Sequence, residues 1–367
     1  MTMRIPRRAF LGGCAVLLAG CAAPGPGHVS PAGGRADGRI LFAVNGSKDG
    51  KKYDGIYLLT NGGSAKRILA KDNAYALEYP RWLRAPTVPG QMEDRIAFVK
   101  VGDRGIYSDL YTTRPDGTDQ HQLTNFRSKI SYGTDINAER NYVQDSSVVA
   151  GVSWSRDGNF LTFSSDNKSG DNGPLRLWIV EDVTVKAGDV RTYPLPLTLN
   201  LGKPIDSTAA SPDGNYIAFT ALWQADNNPN KVSQVYLLNL SARQWKPITD
   251  ATLPFGAYDP AFSPDGQFIA FAGRPDFRVN DIYLMSRDGK TGPQKITDTG
   301  AARAPVFSPD GKKLAFLVNG DGGQFAVYTM DITAPADANV PFTVGKPEKV
   351  TDGIDWIDAR SGLSWIA

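Results

Sequence analysis

The sequence has few of the residues on which enzymes and metal sites most often depend. It contains 2 cysteines and 2 histidines among 367 residues. Cys14 falls in a leader segment and Cys21 directly follows it, so the exported chain would keep no pair of thiols for a disulfide, a thiolate metal site or a cysteine nucleophile. His28 lies in a Pro/Gly-rich stretch, and we expect His121 to be an exposed residue of an outer strand rather than a catalytic base.

Motifs of common catalytic and metal sites are missing as well. The chain has no Gly-x-Ser-x-Gly elbow, no His-Glu-x-x-His and no paired Cys-x-x-Cys. The acidic stretch 166–173 has the composition of a calcium loop, but Lys168 stands where a third-position ligand belongs, so we expect a solvated hairpin loop there. The sequence therefore predicts no cofactor, no metal and no catalytic residue.

The charge balance argues against a nucleic-acid partner. The chain has 40 basic and 38 acidic residues, and three of the basic ones stand in residues 1–20, where there is no acidic residue. The chain after residue 20 therefore carries 37 basic and 38 acidic residues, a net charge of −1. Such a balance gives no basic surface of the kind that binds phosphates.

Residues 1–20 have the pattern of a lipoprotein signal peptide. Arg4, Arg7 and Arg8 precede a short apolar stretch, residues 10–20, which is too short to span a membrane as an uncleaved helix of ~20 residues. The stretch ends in Leu-Ala-Gly-Cys at residues 18–21, which matches the lipobox of bacterial lipoproteins. This resemblance implies cleavage before Cys21 and lipid on Cys21, which would hold the protein at a membrane.

The export route and the membrane stay open at this point. Residues 7–11 resemble a twin-arginine signal, although Pro6 replaces the usual hydroxyl residue, and Sec export with an arginine-rich start is the alternative. Ala22 follows Cys21, with no Asp there to indicate retention at the inner membrane. We expect the anchor on the periplasmic side of the outer membrane or on the outer face of the cytoplasmic membrane, with residues 21–38 as lipidated cysteine and flexible tether.

An internal repeat dominates the rest of the chain. An aliphatic residue, a spacer and a phenylalanine recur at Ile40/Phe42, Ile96/Phe98, Leu161/Phe163, Ile217/Phe219, Ile269/Phe271 and Leu314/Phe316. Ser-Pro-Asp-Gly precedes three of them, at residues 211–214, 263–266 and 308–311, and Ser-Arg-Asp-Gly a fourth, at 155–158. Proline at the second position and glycine with positive φ at the fourth are typical of a tight turn between strands.

Each repeat unit predicts four strands. A short strand ending in a large apolar residue precedes the turn, the Ile-x-Phe strand follows it, and pairs such as Ile282-Tyr283 and Ile296-Thr297 mark the third and fourth strands. Six such units predict an all-β fold, a six-bladed β-propeller with four-stranded antiparallel blades over residues 39–367. Residues 360–367 supply one further strand, with Trp365 at the large apolar position, and we expect it to close the ring in the first blade.

Two units depart from this pattern. Residues 84–94 replace the tight turn after Trp82 in the second unit, and Ala210 stands where the fourth unit should have an aromatic residue. The other strands of both units are intact, so we interpret these departures as local variation.

The motif Pro-x-Phe-Ser-Pro-Asp-Gly-x-x-Ile/Leu-Ala-Phe, at residues 260–271 and 305–316, resembles the TolB-type β-propeller repeat. The resemblance covers residues 39–367 and implies the propeller fold. The repeat occurs in transport-associated envelope proteins, in peptidase-associated domains and in other secreted proteins. TolB itself carries a sizeable domain ahead of its propeller, where this chain has only the tether, so we expect no direct role in the Tol–Pal system.

The candidate binding face is the one on which the connections between blades gather. One connection, residues 126–148, is long and polar and carries the Tyr and Arg typical of contact surfaces; a disordered loop is the alternative. Charged residues just ahead of the inner strands should ring the mouth of the central channel on the same face. The candidate binding residues are Glu78, Arg127, Tyr132, Arg140, Tyr142, Asp206, Asp259, Arg303 and Arg360.

These features predict a monomeric cell-envelope lipoprotein whose propeller is a non-enzymatic module for a protein, peptide or glycan partner. The alternative is a metal-dependent hydrolase, lactonase or lyase with carboxylates at the channel mouth, because six-bladed propellers host such chemistry. Three or four acids converging on the channel would favour the enzyme, but the acids of this chain stand at unlike positions in their blades. A third alternative is a repeat module packed against a partner enzyme.

Overall fold

The fold is taken from a computed structural model. It describes residues 38–48, 51–60, 65–71, 74, 76–88, 91–102, 108–124, 149–155, 160–165, 176–181, 191–194, 205–223, 232–249, 253–320, 322–335, 340–351, 354 and 356–366. The signal peptide, Cys21, most of the tether, the acidic stretch 166–173 and the loop 126–148 lie outside these residues. No helix within the described ranges is long and apolar enough to cross a membrane.

The described strands form six antiparallel sheets, the blades of the predicted propeller. Blade one contains β1 (Arg39–Val44), β4 (Gly55–Leu59) and β5 (Ala65–Ala70), with the short hairpin of β2 (Ser47–Lys48) and β3 (Lys51–Lys52) between β1 and β4. Blade two contains β6 (Ala76–Val88), β7 (Gln91–Val101), β8 (Ser108–Thr113) and β9 (His121–Gln122). Blade three contains β10 (Val149–Trp154), β11 (Phe160–Ser165), β12 (Arg176–Glu181) and β13 (Arg191–Pro194).

The remaining blades follow the same order along the chain. Blade four contains β14 (Ile205–Ala210), β15 (Tyr216–Trp223), β16 (Val232–Asn239) and β17 (Gln244–Pro247). Blade five contains β18 (Ala257–Phe262), β19 (Phe268–Asp276), β20 (Val279–Ser286) and β21 (Gln294–Lys295). Blade six contains β22 (Ala302–Phe307), β23 (Lys313–Asn319), β24 (Phe325–Thr333) and an outer strand in two pieces, β25 (Thr343–Val344) and β26 (Glu348–Lys349).

The C-terminal strand closes the ring, as predicted. β27 (Ser364–Ile366) is the innermost strand of blade one and pairs antiparallel with β1, with Ile40 opposite Trp365. Leu363, just before it, is buried in a core cluster that joins blade one to blade six. The last residues of the chain therefore complete a blade that the first residues begin.

One aromatic pair recurs in every blade. The phenylalanine of each second strand stacks on the aromatic residue directly opposite it in the third strand, with ring centroids 5.4–6.3 Å apart. The pairs are Phe42–Tyr57, Phe98–Tyr111, Phe163–Trp178, Phe219–Tyr236, Phe271–Tyr283 and Phe316–Tyr328. Each phenylalanine is almost completely buried, so this pair is the constant core of the repeat.

The serine and the glycine of the Ser-Pro-Asp-Gly turns hold each turn together by hydrogen bonds. In blade five the Ser263 hydroxyl donates to Asp265 Oδ1 over 2.5 Å and accepts the Phe268 N–H over 2.9 Å. Gly266 has φ of 69° and donates its N–H to the Ser263 carbonyl. The serine therefore joins the two strands that the turn connects, which explains why serine rather than another small residue begins the motif.

The fourth strands differ from prediction by one or two residues. In four blades the strand stops just before the aliphatic–threonine pair, as β21 stops before Ile296-Thr297. The threonine hydroxyl instead accepts an N–H of the third strand, from Ile282 to Thr297 in blade five, and donates to a buried polar side chain, here Asp281, each over 2.8 Å. A side-chain bond thus replaces the ladder bond, and the strand can end there.

Both irregular units keep their blades. Residues 84–94 form a longer hairpin in which β6 and β7 stay paired as far as Val88 and Gln91. Ala210 takes the position of the missing aromatic residue at the end of β14 and pairs with Ile217. Both departures are local, as predicted.

Candidate functional site

A cavity of about 770 Å³ lies between the inner strands of the blades. Residues of all six inner strands line it: β6, β10, β14, β18, β22 and β27. It is therefore the central channel of the propeller. Its volume falls within the range of pockets that bind small ligands or the ends of chains.

A β-bulge interrupts the five longer inner strands at the same level. The register with the second strand shifts between Glu78 and Arg81, and at the equivalent place in β10, β14, β18 and β22. The first bulge residue has φ between 50° and 59° in four blades, at Tyr79, Gly151, Asp259 and Ala304. A bulge re-aims side chains, and strained backbone of this kind is concentrated at functional sites. The wall of the channel is therefore shaped by the bulges.

Proline accompanies the bulge in three blades. Pro80, Pro260 and Pro305 follow the residue of positive φ. Proline cannot donate to a strand ladder and occurs within strands mainly at edges and bulges. These prolines were the signal in the sequence from which the bulges could have been predicted.

One level of the channel combines a single arginine with five short side chains. The equivalent residues just after the bulges are Arg81, Ser153, Ala209, Ala261, Val306 and Ser364, and all six line the cavity. Arg81 is the only charged residue among these six. The other five side chains are short and carry no charge. Arg81 was not predicted from the sequence, because only its position relative to the other inner strands distinguishes it.

Arg81 is held by main-chain oxygens. Its Nη1 donates to the Pro80 carbonyl over 3.0 Å and to the Ser361 carbonyl over 2.8 Å. Burial lowers the pKa of the Arg81 guanidinium to about 10, while Tyr79 and Asp259 act in the opposite direction. In the described part of the chain, Arg81 has no carboxylate at ion-pair distance, and Asp259, which acts on it from further away, is paired with another arginine.

Asp259 and Arg303 form a two-pronged ion pair between blades five and six. Arg303 Nε donates to Asp259 Oδ2 over 3.1 Å, and its Nη2 donates to Oδ1 over 3.3 Å. Asp259 Oδ2 also accepts the Ala304 N–H over 3.2 Å. The neighbouring Asp259 raises the pKa of Arg303 and so stabilises its protonated guanidinium. Both residues were predicted for the channel mouth, and the structure brings them into contact.

Glu78 and Arg360, also predicted for the mouth, interact electrostatically near Asp358. Burial and the negative charge of Asp358 raise the pKa of the Glu78 carboxyl to about 6, against the opposing effect of Arg360. Asp358 is fixed by the Ser361 hydroxyl over 2.5 Å and by the Arg360 N–H over 3.1 Å. The mouth therefore holds a carboxyl group that titrates near neutral pH.

The predicted position of these residues needs one correction. Glu78, Asp206, Asp259 and Arg303 were placed ahead of the inner strands, but they lie within β6, β14, β18 and β22. The strands begin earlier because the bulge lengthens them. Arg360 does precede its strand, β27. The side chain of Asp206 and the residues Arg127, Tyr132, Arg140 and Tyr142 lie outside the described part of the structure.

The predictions about histidine and metal binding concern His121 and the acidic residues. His121 lies on the outer strand β9, partly exposed, with Nε2 2.9 Å from Asp119 Oδ1, and it does not line the channel. Among the side chains that the structure describes, no three or more His, Cys, Asp or Glu residues lie close enough together to hold a metal ion.

Known proteins share the fold of this chain. The family model of the TolB β-propeller domain matches residues 189–351, which span blades four to six. This part of the chain therefore resembles the TolB β-propeller domain. The TolB repeat was the predicted resemblance, and it is confirmed together with the all-β, six-bladed fold.

Solved structures show the same fold at low sequence identity. TolB from Acinetobacter baumannii is 16% identical with a TM-score of 0.59, over 89% of this chain and 66% of that one. A candidate TolB from Agrobacterium tumefaciens is 17% identical with a TM-score of 0.53, over 91% and 100%. Hydrazine synthase from Kuenenia stuttgartiensis is 14% identical with a TM-score of 0.54, over 86% and 47%.

These similarities concern the fold alone. This chain spans 66% of the Acinetobacter chain and 47% of the hydrazine synthase chain. No curated protein matches it in sequence. The function must therefore be argued from the channel itself.

Proposed function

We propose that this protein is a lipid-anchored protein of the bacterial cell envelope whose TolB-type propeller binds a partner at the mouth of its central channel. The partner is a protein, peptide or glycan, and binding involves no chemistry on it. The observation that carries this proposal is the channel, a cavity of about 770 Å³ that Asp259 and Arg360 line. Arg303 pairs with Asp259, and Glu78 interacts electrostatically with Arg360, so charges of both signs gather beside the cavity.

The placement of these charges supports binding. The Asp259–Arg303 pair lies on the inner strands β18 and β22, and Glu78 lies on β6, where burial takes these charges partly out of water. Asp358 and Arg360 precede β27 and interact electrostatically with Glu78. Charges at such a site tend to reduce the stability of a protein, and they are commonly kept because they recognise a ligand.

Anchoring follows from the signal-peptide pattern. Lipid on Cys21 would hold the propeller just off the membrane through the tether, residues 22–38. The test is metabolic lipid labelling of wild-type protein and of Cys21→Ala, with Cys14→Ala as the matched control. We expect label on the wild type and on Cys14→Ala but none on Cys21→Ala; equal label on all three would refute the anchor. Export that stops when Arg7 and Arg8 become Lys would identify the twin-arginine route.

The binding role is tested by partner capture from cells. We compare the wild type with the double variant Asp259→Asn/Arg303→Gln, which removes the pair at the mouth. The matched control is Asp331→Asn/Lys313→Gln, which removes an exposed ion pair of 2.6 Å beside the turn of blade six. We expect the mouth variant to lose the captured partner while the control keeps it. Equal capture by both variants would exclude the mouth as the binding site.

A second variant tests the long loop. Replacing residues 126–148 by a short Gly/Ser connection should leave the propeller folded and reduce capture, with Arg127, Tyr132, Arg140 and Tyr142 as the side chains to change first. A shortened protein that captures the partner as well as the wild type would remove the loop from the proposal.

A further inference from the structure

We propose that Arg81 is an anion subsite inside the channel and that it binds the C-terminal carboxylate of a peptide whose chain end enters from the mouth. The inference rests on the proposed function and specifies the chemistry of the same site. It is carried by the position of Arg81 in the cavity and by the charges around it.

Arg81 is an enclosed cation with donors left over. Both of the hydrogen bonds that it donates among the described residues come from Nη1 and end on the carbonyls of Pro80 and Ser361. A guanidinium has five N–H donors in a planar fork, which matches the two oxygens of a carboxylate. An enclosed charge without a counter-ion is costly, so an arginine kept in such a place indicates an anionic ligand. The lowered pKa of Arg81 is consistent with this enclosure.

The side chains at this level of the channel are small. The equivalent residues of the other inner strands are two serines, two alanines and a valine. A Cβ placed on Gly362 would lie 3.3 Å from Arg81 Nη2, so the guanidinium packs closely against this glycine. A ligand would therefore reach the guanidinium from the cavity that Arg81 lines.

The mouth favours a singly charged ligand over a phosphate. Asp259 and Arg360 line the cavity, Arg303 pairs with Asp259, and the carboxyl groups of Asp358 and Glu78 interact with each other beside Arg360. A dianion would be repelled by these acids, whereas a peptide end carries one negative charge and N–H groups behind it that the acids can accept. A peptide that binds through its terminal carboxylate places one length of chain in the channel. A peptide that binds through a side chain in its middle has chain on both sides of that residue and places two lengths there.

The test uses pooled N-acetylated tetrapeptides of random sequence. One pool has a free C-terminal carboxylate, a second is C-terminally amidated, and a third is amidated with an internal Glu in every peptide; inorganic phosphate is the fourth probe. Binding is followed by fluorescence, because Trp82, Trp154 and Trp365 line the cavity, and by the shift in Tm. We expect binding of the free-carboxylate pool at least tenfold tighter than binding of any other probe.

Variants connect this preference to Arg81. Arg81→Gln should weaken binding of the free-carboxylate pool at least tenfold and remove the preference over the amide. The charge-matched control Arg243→Gln removes an exposed arginine of the turn between β16 and β17, which does not line the cavity, and should change affinity less than threefold. Arg81→Lys keeps the positive charge but loses the planar fork of donors, so we expect an affinity between those of the wild type and Arg81→Gln. The lysine variant also serves as the test if Arg81→Gln folds poorly.

An isosteric pair separates binding from a structural role. Gly362→Asp places a carboxylate against the Arg81 guanidinium and should abolish binding, whereas Gly362→Asn, with the same shape and the same backbone strain at φ of 68°, should keep it within a few-fold. Equal affinities of these two variants, or of the free and amidated pools, would overturn the inference, as would tighter binding of the Glu pool or of phosphate. If partner capture still depends on the Asp259–Arg303 pair in that case, the proposed function stands without the subsite.

Discussion

Arg303 of blade six donates two hydrogen bonds, of 3.1 and 3.3 Å, to the carboxylate of Asp259 of blade five at the mouth of the channel. The pair links the neighbouring inner strands β18 and β22, and Asp259 lies in a bulge with φ of 52°. It therefore fixes both the local backbone and the charge pattern of the entrance.

The first prediction measures what this ion pair contributes to stability. Asp259→Asn keeps a residue that tolerates positive φ but removes the charge, and Arg303→Gln removes the partner. Each single variant should lower the free energy of unfolding by about 1–3 kcal/mol, because a charged hydrogen bond is lost and one partner stays behind. Urea unfolding of both single variants and the double variant gives the coupling energy, expected to be about 1–2 kcal/mol. A coupling of zero would show that the two residues act independently.

The second prediction concerns Glu78 and pH. Its pKa is about 6 in the folded protein against an ordinary value of 4.5, so between these values the folded state binds the proton more tightly than the unfolded chain. The contribution of Glu78 to stability is therefore fully present below about pH 4.5 and is lost as the pH rises through about 6. Glu78→Gln should raise the free energy of unfolding by up to about 2 kcal/mol at pH 8 and have little effect at pH 4.5.

The control for this pH effect is the exposed Glu348 of β26. Glu348→Gln should leave the pH dependence of unfolding unchanged, because a solvated carboxyl interacts equally in both states. If Glu78→Gln and Glu348→Gln give parallel stability curves from pH 4.5 to pH 8, the burial of Glu78 has no energetic consequence.

The third prediction concerns closure of the ring. Deleting residues 360–367 removes β27 and exposes the edge of β1, along with the core positions of Leu363 and Trp365. Two such side chains contribute about 3–6 kcal/mol of burial, against a total stability of ~5–15 kcal/mol. The truncated protein should aggregate or melt far below the parent. An unchanged Tm, measured by calorimetry, would show that closure does not stabilise the fold.

The fourth prediction concerns the threonine at the end of each outer strand. Thr297→Val keeps the shape but leaves the Ile282 N–H and one contact of Asp281 unsatisfied in the core of blade five. We expect a loss of about 1–3 kcal/mol in the free energy of unfolding. Thr297→Ser retains the hydroxyl and should lose less. Urea unfolding of the two variants measures what the Thr297 hydroxyl contributes to stability. A valine variant as stable as the serine variant would contradict this contribution.

Much of the fold could be predicted because the same pattern of strands recurs six times in the sequence. The Ile-x-Phe strand, the opposing Tyr or Trp and the closing Trp365 each follow from the period of a strand and from position in the unit. The exact ends of the outer strands could not be predicted in this way. Thr297 and its equivalents look like strand residues in the sequence, but their hydroxyl groups, not their backbone, make the deciding hydrogen bond.

The site was predictable only in part. Charge and position predicted Glu78, Asp259, Arg303 and Arg360 for the mouth, and of these Asp259 and Arg360 line the cavity. The contact between Asp259 and Arg303 spans 44 residues and depends on how two blades meet, so the sequence does not reveal it. Arg81 was not predicted, because nothing in its local sequence distinguishes it from a solvated residue.

The most direct test of the account is photo-crosslinking in living cells from one position at the channel mouth and one away from it. A photoreactive amino acid replaces Arg360, which is exposed at the mouth, or Val340, which is 50% exposed and does not line the channel. We predict a discrete crosslinked partner from position 360 that disappears in the Asp259→Asn/Arg303→Gln background, and none from position 340. Crosslinks from position 340 alone, or equal crosslinks from both positions, would contradict binding at the channel mouth.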